Sequence, residues 1–414
     1  MASTGVPAEH LTLAEARARV LAAAVPLAAE EATLDEAFGR ALGETVRAPH
    51  ALPPFRNSSM DGFAVRAADA GRELPVGEVL AAGAHVARPL PPGQAARIMT
   101  GAMLPEGADA VVPFEEADET ARDGAALVRA RAAVSPGQNI RRAGEDIAQD
   151  EVALEAGREL SAHDLALLAS LGITRVRVGR VPSAAIISTG DELLEPHQPL
   201  TPGRIRDSNR PMLGWLLEDC GARVVSSVHV GDDPAQVETA IRDALGGADI
   251  VLTIGGVSAG DFDPVKQSLA NVGGVALWRV AMKPGRPQAF GMPQGRLFFG
   301  LPGNPASVAC VFEVLVRPAL RKLQGHAQLE RPTLCVRSAE TIASRVGRTD
   351  FVRTRLTWRH GEWWASPAGA QVSGHLTPQA WAHALLEVPE HAEAIERGEF
   401  AMARMLRWPD ISGA

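Results

Sequence analysis

The chain of 414 residues is long enough for two to four domains. Its 41 basic and 49 acidic side chains give a formal net charge of −8, and aromatic residues make up only 4% of the sequence. Such a chain lacks both the basic footprint and the stacking surfaces of a nucleic-acid-binding protein. No window approaches the roughly 18 consecutive apolar residues that span a membrane. We therefore expect a cytoplasmic protein without nucleic-acid or membrane partners.

Several common zinc-binding, nucleophile and phosphate-loop motifs are absent from the sequence. The three cysteines, Cys220, Cys310 and Cys335, lie far apart in apolar runs, without CxxC or Cys/His spacing. No HExxH motif, GxSxG elbow or Walker A loop occurs. The pattern predicts buried thiols in a reducing compartment. It disfavours zinc proteases, serine hydrolases and P-loop enzymes.

Two helices are predicted from their capping boxes. Thr12 begins one that runs to Val25, and Ser161 begins another that runs to Leu171; each hydroxyl residue is followed three positions later by an acid. A strand over 173–178 follows the second helix. Between the helices lie short β-like runs broken by Pro and Gly, such as Arg97–Met99 and Ala110–Val112, which indicate a β-rich insertion.

From residue 183 onward, strands alternate with helices, a pattern typical of a mostly parallel sheet covered on both faces. The predicted strands are 184–188, 223–230, 249–254 and 297–300. The predicted helices begin near Pro211, Pro234, Pro264 and Pro305, the first capped by Ser208 or Asn209 and the last running to Leu323. Beyond residue 328 short β-runs return, with a hairpin turn predicted at His360–Gly361.

These patterns predict a multi-domain α/β protein built around a doubly wound, mostly parallel α/β domain. The expected parts are an elongated helical stalk (residues 1–31 and 155–182), a β-rich inserted domain (32–154), the α/β domain (183–327) and a small C-terminal β-barrel (328–414).

Ligands of open α/β sheets bind at the carboxyl ends of the strands. Three polar loops directly follow predicted strands: 188–192, 255–263 and 301–305. The middle loop combines three glycines and Ser258 with the carboxylates Asp261 and Asp263. Glycines let backbone N–H groups crowd around an anion, whereas carboxylates repel it unless a divalent cation intervenes. The loop therefore predicts an anion held together with a metal ion, although each loop alone is also typical of an ordinary turn or cap.

Two other segments carry charge. In the segment 282–287, Lys283 and Arg286 are placed by prolines where they can clamp a phosphate or oxyanion, or form a solvated basic turn. The segment 53–62, rich in Pro, Asn, Ser and Gly, presents Asp61, for which a structural turn is the default reading.

Seven segments together resemble one family. They are PPFRNSSMDGFAV (53–65), RIMTGAMLPEGADAVV (97–112), RRAGEDI (141–147), STGDEL (188–193), GGVSAGDFDPVK (255–266), MKPGRPQAFG (282–291) and LPGNPASV (301–308). In this order, over nearly the whole chain, they resemble the MoeA family of molybdopterin molybdenumtransferases, related to the C-terminal part of gephyrin.

The resemblance implies a reaction and an assembly. Adenylyl-molybdopterin and molybdate would give molybdenum-molybdopterin and AMP, assisted by Mg²⁺ or a similar divalent cation. The family forms homodimers in which the site lies between the α/β domain of one subunit and the β-rich domain of the other. A molybdopterin adenylyltransferase is the implied upstream partner.

The resemblance also implies site residues. The catalytic set is Asp61, Thr100, Asp146, Glu192, Asp232, Asp263 and Lys283, with Glu192, Asp232 and Asp263 as metal ligands. The binding set is Arg279, Lys283, Pro302, Pro305, Arg353 and Ser373. Our reading of the loops adds Gly255, Gly256, Ser258, Gly303 and Asn304. The chain departs from the family at Arg56, Phe63 and Arg286, and matches it loosely at Ser373.

Three alternatives remain open at this level. A molybdopterin adenylyltransferase would use a similar α/β domain, but it lacks the inserted domain. A non-enzymatic scaffold, as in part of gephyrin's role, would not need the acidic loops. An insertase specific for tungstate would require the same residues.

Overall fold

The structure is a computed structural model, and it describes residues 8–84, 86, 88–256 and 264–409. Contacts divide the chain into two compact units. The main unit comprises Met1–Gly43, Gly157–Leu160 and Val176–Ala414, and the inserted unit comprises Glu44–Ala156 and Ser161–Arg175. The expected four-part division of the chain stays a prediction.

A seven-stranded sheet forms the centre of the main unit. We number its parallel core strands β1 (Ser183–Thr189), β2 (Arg223–Val230), β3 (Ile250–Ile254) and β4 (Leu297–Leu301), which lie in the order β2-β1-β3-β4. Antiparallel Pro287–Gly291 extends the sheet beyond β4, and it is followed by Val275–Val280 and Glu9–Leu11. The predicted parallel sheet is confirmed.

The helices of this unit follow the strands as predicted. They are α1 (Asn209–Asp219), α2 (Pro234–Gly247), α3 (Pro264–Val272) and α4 (Pro305–Val311), and α4 continues through a π-helical turn, Phe312–Val316, into Arg317–Leu323. The first predicted helix starts two residues earlier than expected. Neither Ser208 nor Asn209 caps it through its side chain; Asp207 Oδ1 accepts the Arg210 N–H at 3.0 Å instead.

Helices cover both faces of the core strands. On one face, Ile186 and Leu252 pack with Leu213 of α1 and with α4. On the other face, Ile187 and Val251 pack with α2. Because successive strand residues point to opposite faces, the strands must be apolar at nearly every position. This is why β1 and β3 read as continuous hydrophobic runs.

A closed five-stranded barrel forms the C-terminal part of the main unit. Its strands are Thr349–Arg359, Glu362–Pro367, Thr333–Ser338, Phe400–Met405 and Ala384–Val388, and the last pairs with the first. Closure leaves no free sheet edge. The predicted hairpin turn is confirmed, since His360 and Gly361 both have positive φ, 51° and 82°.

Short elements complete the main unit. The helices are Leu13–Ala23, Leu34–Ala37 and Thr377–Trp381. The short strands are Glu30–Thr33, Leu193–Leu194, Ile205–Arg206, Met282–Lys283, Ile342–Ala343 and Ala394–Ile395. The strand predicted from residue 173 begins at Arg175 and ends at Val178.

The inserted unit is mainly β, as predicted. Its six-stranded sheet has the order Ala110–Pro113, Gly62–Val65, Ala95–Ile98, Leu74–Leu80, Ala125–Ala130 and Ala117–Arg122. Two short ladders pair Asn57–Ser58 with Ile140–Arg141, and Val46–Arg47 with Val152–Leu154; the helix is Ala162–Ser170.

Phe63 of the inserted unit, where the resemblance implies tyrosine, is packed as an apolar residue. Its ring is fully buried and meets Phe114 edge to face, with centroids 5.2 Å apart. A phenol there would need a hydrogen-bond partner for its hydroxyl.

The thiol prediction is partly wrong. Cys220 and Cys310 are buried, and burial raises the pKa of Cys220 to about 11. Cys335, however, is exposed. It lies on the barrel strand Thr333–Ser338, where alternate residues face solvent. Among the helices that the structure describes, none is long and apolar enough to cross a membrane.

Both predicted capping boxes are present. Thr12 N donates to Glu15 Oε2 at 2.8 Å, and Glu15 N donates to Thr12 Oγ1 at 3.2 Å. Ser161 and Asp164 form the same reciprocal pair.

We predict that Thr12→Ala weakens the helix Leu13–Ala23 by about 1 kcal/mol, because a backbone donor loses its partner.

The measurement is native-state hydrogen exchange at the amides of that helix, which should speed up about fivefold. Thr12→Ser is the matched control, since it keeps the capping oxygen. Equal exchange rates in the two variants would contradict the assignment.

Candidate functional site

The carboxyl ends of the core strands meet at one edge of the sheet. Ser188 of β1 pairs with Ile254 of β3, which in turn pairs with Leu301 of β4, while Thr189 pairs with Val230 of β2. The strands therefore end level with one another. As predicted, the polar loops that follow them begin at one edge; of the loop after β3, only residues 255 and 256 are described.

Glycines allow these loops to touch. Gly255 has a φ of 91°, and a Cβ on it would lie 3.0 Å from Thr189 Oγ1. Its N–H donates to the Leu301 carbonyl at 3.0 Å. A Cβ on Gly303 would approach Gly255 Cα to 3.8 Å. The loops after β1, β3 and β4 thus pack backbone to backbone, which only small residues permit.

The acidic residues of this edge come from the loops after β1 and β2. Asp191 N donates to Asp232 Oδ2 at 3.2 Å, and Asp232 N donates to Asp191 Oδ1 at 3.3 Å. The Glu192 carboxylate folds back over its own loop, because a Cβ on Gly190 would lie 2.3 Å from Glu192 Oε2. His229 Nε2 is 2.9 Å from the Gly190 carbonyl oxygen. The structure thus brings Asp232 to this edge beside Asp191, which the sequence did not single out.

Only some of the predicted metal ligands lie within the described residues. Asp263 and Ser258 lie outside the described residues, as does the rest of 257–263. In the part of the chain that is described, no three His, Cys, Asp or Glu side chains converge as a metal site. Asp191, Glu192 and Asp232 are exposed carboxylates, the oxygen donors that Mg²⁺ prefers.

The N-terminus of α4 lies at the same edge. Pro302 is buried, Asn304 occupies the cap position without a side-chain capping bond, and Pro305 is the first helical residue. The Ala306 N–H donates to the Ser373 carbonyl at 3.1 Å, so the segment of Ser373 covers the first turn. The positive end of the helix dipole therefore faces the loops.

Asn209 is a second residue that sequence reasoning missed. Its Nδ2 donates to the Gly303 carbonyl at 2.6 Å, which ties α1 to the loop before α4. Its Oδ1 is buried without a hydrogen-bond partner among the residues described. A polar residue at the start of a helix was its only sequence signal, and we interpreted that signal as a cap.

Arg353 is the most unusual charge in the main unit. It is 2% exposed, and it forms no ion pair with any carboxylate in the described ranges. Its backbone N–H and Nε both donate to Gln371 Oε1, at 3.0 and 3.1 Å. Nη1 is buried with no partner. Burial lowers the pKa of the guanidinium, since removal from water penalises the charged form.

The basic loop after Val280 packs against α4. A Cβ on Gly285 would lie 2.5 Å from Val311 Cγ2 and 3.7 Å from the Ser307 carbonyl oxygen. Lys283 Nζ is 3.9 Å from Asp350 Oδ2, and the lysine side chain is half exposed. Arg348 already holds the Asp350 carboxylate through two bonds, at 2.7 and 3.2 Å. Lys283 therefore retains free donors.

Arg279 is also exposed, and its strand Val275–Val280 lies directly before this loop. The helix α4 contacts both the basic loop, at Gly285, and the segment of Ser373. Arg353 Nη2 donates to the carbonyl of Val372 in that segment at 3.5 Å.

The inserted unit holds the remaining predicted residues. Asp61 Oδ1 accepts the Thr100 backbone N–H at 2.7 Å and its hydroxyl at 2.8 Å. Both bonds lower the pKa of the Asp61 carboxyl below its ordinary value, and the backbone bond has the larger effect. Asp146 is exposed, and its N–H donates to the Leu52 carbonyl at 3.0 Å. The structure thus joins Asp61 to Thr100, and it leaves the Asp146 carboxylate facing solvent.

Three protein-family models match the chain in succession. The MoeA N-terminal region (domains I and II) matches residues 11–172, a probable molybdopterin-binding domain matches 185–322, and the MoeA C-terminal region (domain IV) matches 336–401.

Known proteins match over similar spans. A molybdopterin molybdenumtransferase of Haemophilus influenzae is 41% identical over 347 residues, 83% of this chain and 85% of that protein. Molybdopterin molybdenumtransferase 2 of Mycobacterium tuberculosis is 38% identical over 378 residues, 88% of this chain and 92% of that protein. The crystal structure of a molybdopterin biosynthesis MoeA protein from Pyrococcus horikoshii matches 96% of this chain and 100% of its own, with a TM-score of 0.82 at 30% identity. The chain therefore belongs to the MoeA family of molybdopterin molybdenumtransferases.

Proposed function

We propose that this protein inserts molybdenum into molybdopterin, converting adenylyl-molybdopterin and molybdate into molybdenum-molybdopterin and AMP. It is a transferase of molybdenum cofactor biosynthesis. The observation that carries the proposal is the buried guanidinium of Arg353, which forms no ion pair among the described residues and lies next to the segment that covers the α4 N-terminus. An anionic ligand would stabilise a buried cation that has a free donor, and both substrates are anionic.

The anion-binding part of the site is built from three kinds of donor. Arg353 supplies Nη1, which has no partner within the described structure. Lys283 supplies an ammonium with free donors. The N-terminus of α4 supplies a positive dipole end near Gly303 and Asn304. A pterin phosphate or molybdate oxygen would be stabilised by charge-assisted hydrogen bonds to these groups.

The cation-binding part would be the acidic edge. Glu192 and Asp232, together with Asp191, offer the hard oxygen ligands that suit Mg²⁺. Asp263 was predicted to join them, and it remains a prediction. When bound, Mg²⁺ would neutralise charge on the phosphoanhydride. The residues of this chain would hold the substrate phosphates and orient them toward molybdate, without a covalent nucleophile.

We further propose that the protein is a homodimer whose site is completed by Asp61, Thr100 and Asp146 of the second subunit. The support is the resemblance to the family, which implies a site shared between subunits; within the inserted unit, two hydrogen bonds from Thr100 orient the Asp61 carboxylate. A molybdopterin adenylyltransferase would supply the activated substrate, because the reaction consumes an adenylyl ester.

The reaction itself can be tested with purified protein and adenylyl-molybdopterin. We expect AMP release to begin only when molybdate is added, because molybdate is the group transferred. Tungstate in place of molybdate measures the metal preference. AMP release without either oxyanion would contradict the proposal. So would adenylylation of molybdopterin from ATP, which would identify the protein as the upstream enzyme instead.

Arg353→Met should separate binding from folding. We expect kcat/KM for AMP release to fall by about tenfold or more, since a charge-assisted bond to the substrate is lost. The stability of the barrel should stay the same or rise, because a buried unpaired charge is removed. Hydrogen exchange of the barrel strands measures that stability.

Arg359→Met is the matched control on the same strand, since Arg359 is exposed and outside the proposed site. Unchanged kcat/KM in Arg353→Met would remove Arg353 from the site.

Mixing two inactive variants tests the shared site. Asp61→Asn and Arg353→Met subunits, unfolded and refolded together in equal amounts, should recover about one quarter of the wild-type activity. Random pairing makes half of the dimers mixed, and one of the two sites in each mixed dimer is intact. Each variant refolded alone is the control. A lack of recovery in the mixture would mean either that Asp61 and Arg353 belong to different sites or that the protein is a monomer.

A further inference from the structure

Two arginines of the inserted unit lie at the end of a short ladder. Asn57 pairs with Arg141 in antiparallel register. Arg56 and Arg142 come next along the chain, just outside the paired residues. Two like charges held close together repel each other, and an anion bound between them would relieve that repulsion.

Both arginines line one surface cavity of about 420 Å³, together with Gly137, Ile140 and Ala143. This volume falls within the usual range for small-molecule sites. The cavity is far larger than a single ion requires. It therefore has room for an organic molecule that carries the anionic group.

Among the residues described, no carboxylate forms an ion pair with either guanidinium. Arg56 Nη2 donates to the Ala108 carbonyl at 3.2 Å, which supplies no charge. Glu145 is the nearest acid along the chain, and its Oε2 accepts the backbone N–H of Arg142 at 2.7 Å. No ion pair of the described residues involves either arginine. Their donors remain available to a ligand.

We infer that this cavity binds the phosphate monoester of a small molecule between Arg56 and Arg142. The planar forks of two guanidiniums match the oxygens of a phosphate and bind it bidentately. The apolar wall of Ile140 and Ala143 would face the organic part of the ligand. The inference is independent of the proposed reaction, because it concerns binding to the inserted unit without molybdate or pterin.

Residue-resolved protection tests this site in the full-length protein. Phenylglyoxal modifies arginines, and mass spectrometry reads each position separately. Orthophosphate at ten times its dissociation constant should slow the modification of Arg56 and Arg142 about tenfold. Arg141 should be unaffected, since it does not line the cavity. AMP should protect in the same way, whereas adenosine, which lacks the phosphate, should not.

Two variants make the test specific. Arg142→Gln should abolish the phosphate protection of Arg56, and Arg141→Gln, with the same charge change outside the cavity, should retain it. If Arg56 and Arg142 react at the same rate with chloride and with phosphate at equal ionic strength, the site does not exist. Equal protection of Arg141 would equally overturn it, because that would show general screening. Protection by adenosine would mean that the nucleoside, and not the phosphate, is recognised.

Discussion

The parallel core strands end at the same level of the sheet, and the rest of the main unit depends on this constraint. Because β1, β3 and β4 pair in register at Ser188, Ile254 and Leu301, their following loops must leave the sheet at one edge. Glycines at 255 and 303 then let the backbones approach to contact. Acidic groups from the loops after β1 and β2, and the dipole of α4, come to this edge without further adjustment. The chemistry of the edge thus follows from strand register.

Burial of Arg353 is the second physical feature of the site. Removal of a guanidinium from water costs on the order of several kcal/mol per ion, and neutral partners such as Gln371 offset only part of that cost. The barrel therefore holds a charge that it does not itself neutralise, and an anionic ligand would stabilise it. Functional sites are expected to lower the stability of a fold locally in return for ligand binding.

The sequence predicted local elements correctly where the contacts that form them are close along the chain. The boxes of Thr12 and Ser161, the helix start at Pro234 and the hairpin at His360–Gly361 involve residues at most three positions apart. The reading failed at α1, where Asp207 caps in place of Ser208, because several polar residues compete there. It failed also at Cys335, since an apolar run in a barrel strand still faces solvent at alternate residues.

By itself, the sequence determined the alternation of strands and helices, the polar loops at the strand ends and, through seven motifs, the family. These depend on periodicity, turn chemistry and local order, which are written along the chain. Only the tertiary structure decided that Asp191 contacts Asp232, that Asn209 ties α1 to Gly303, and that Arg353 is buried without a carboxylate partner among the residues described. Those facts depend on pairings between distant segments and on exclusion of water, which no local pattern encodes.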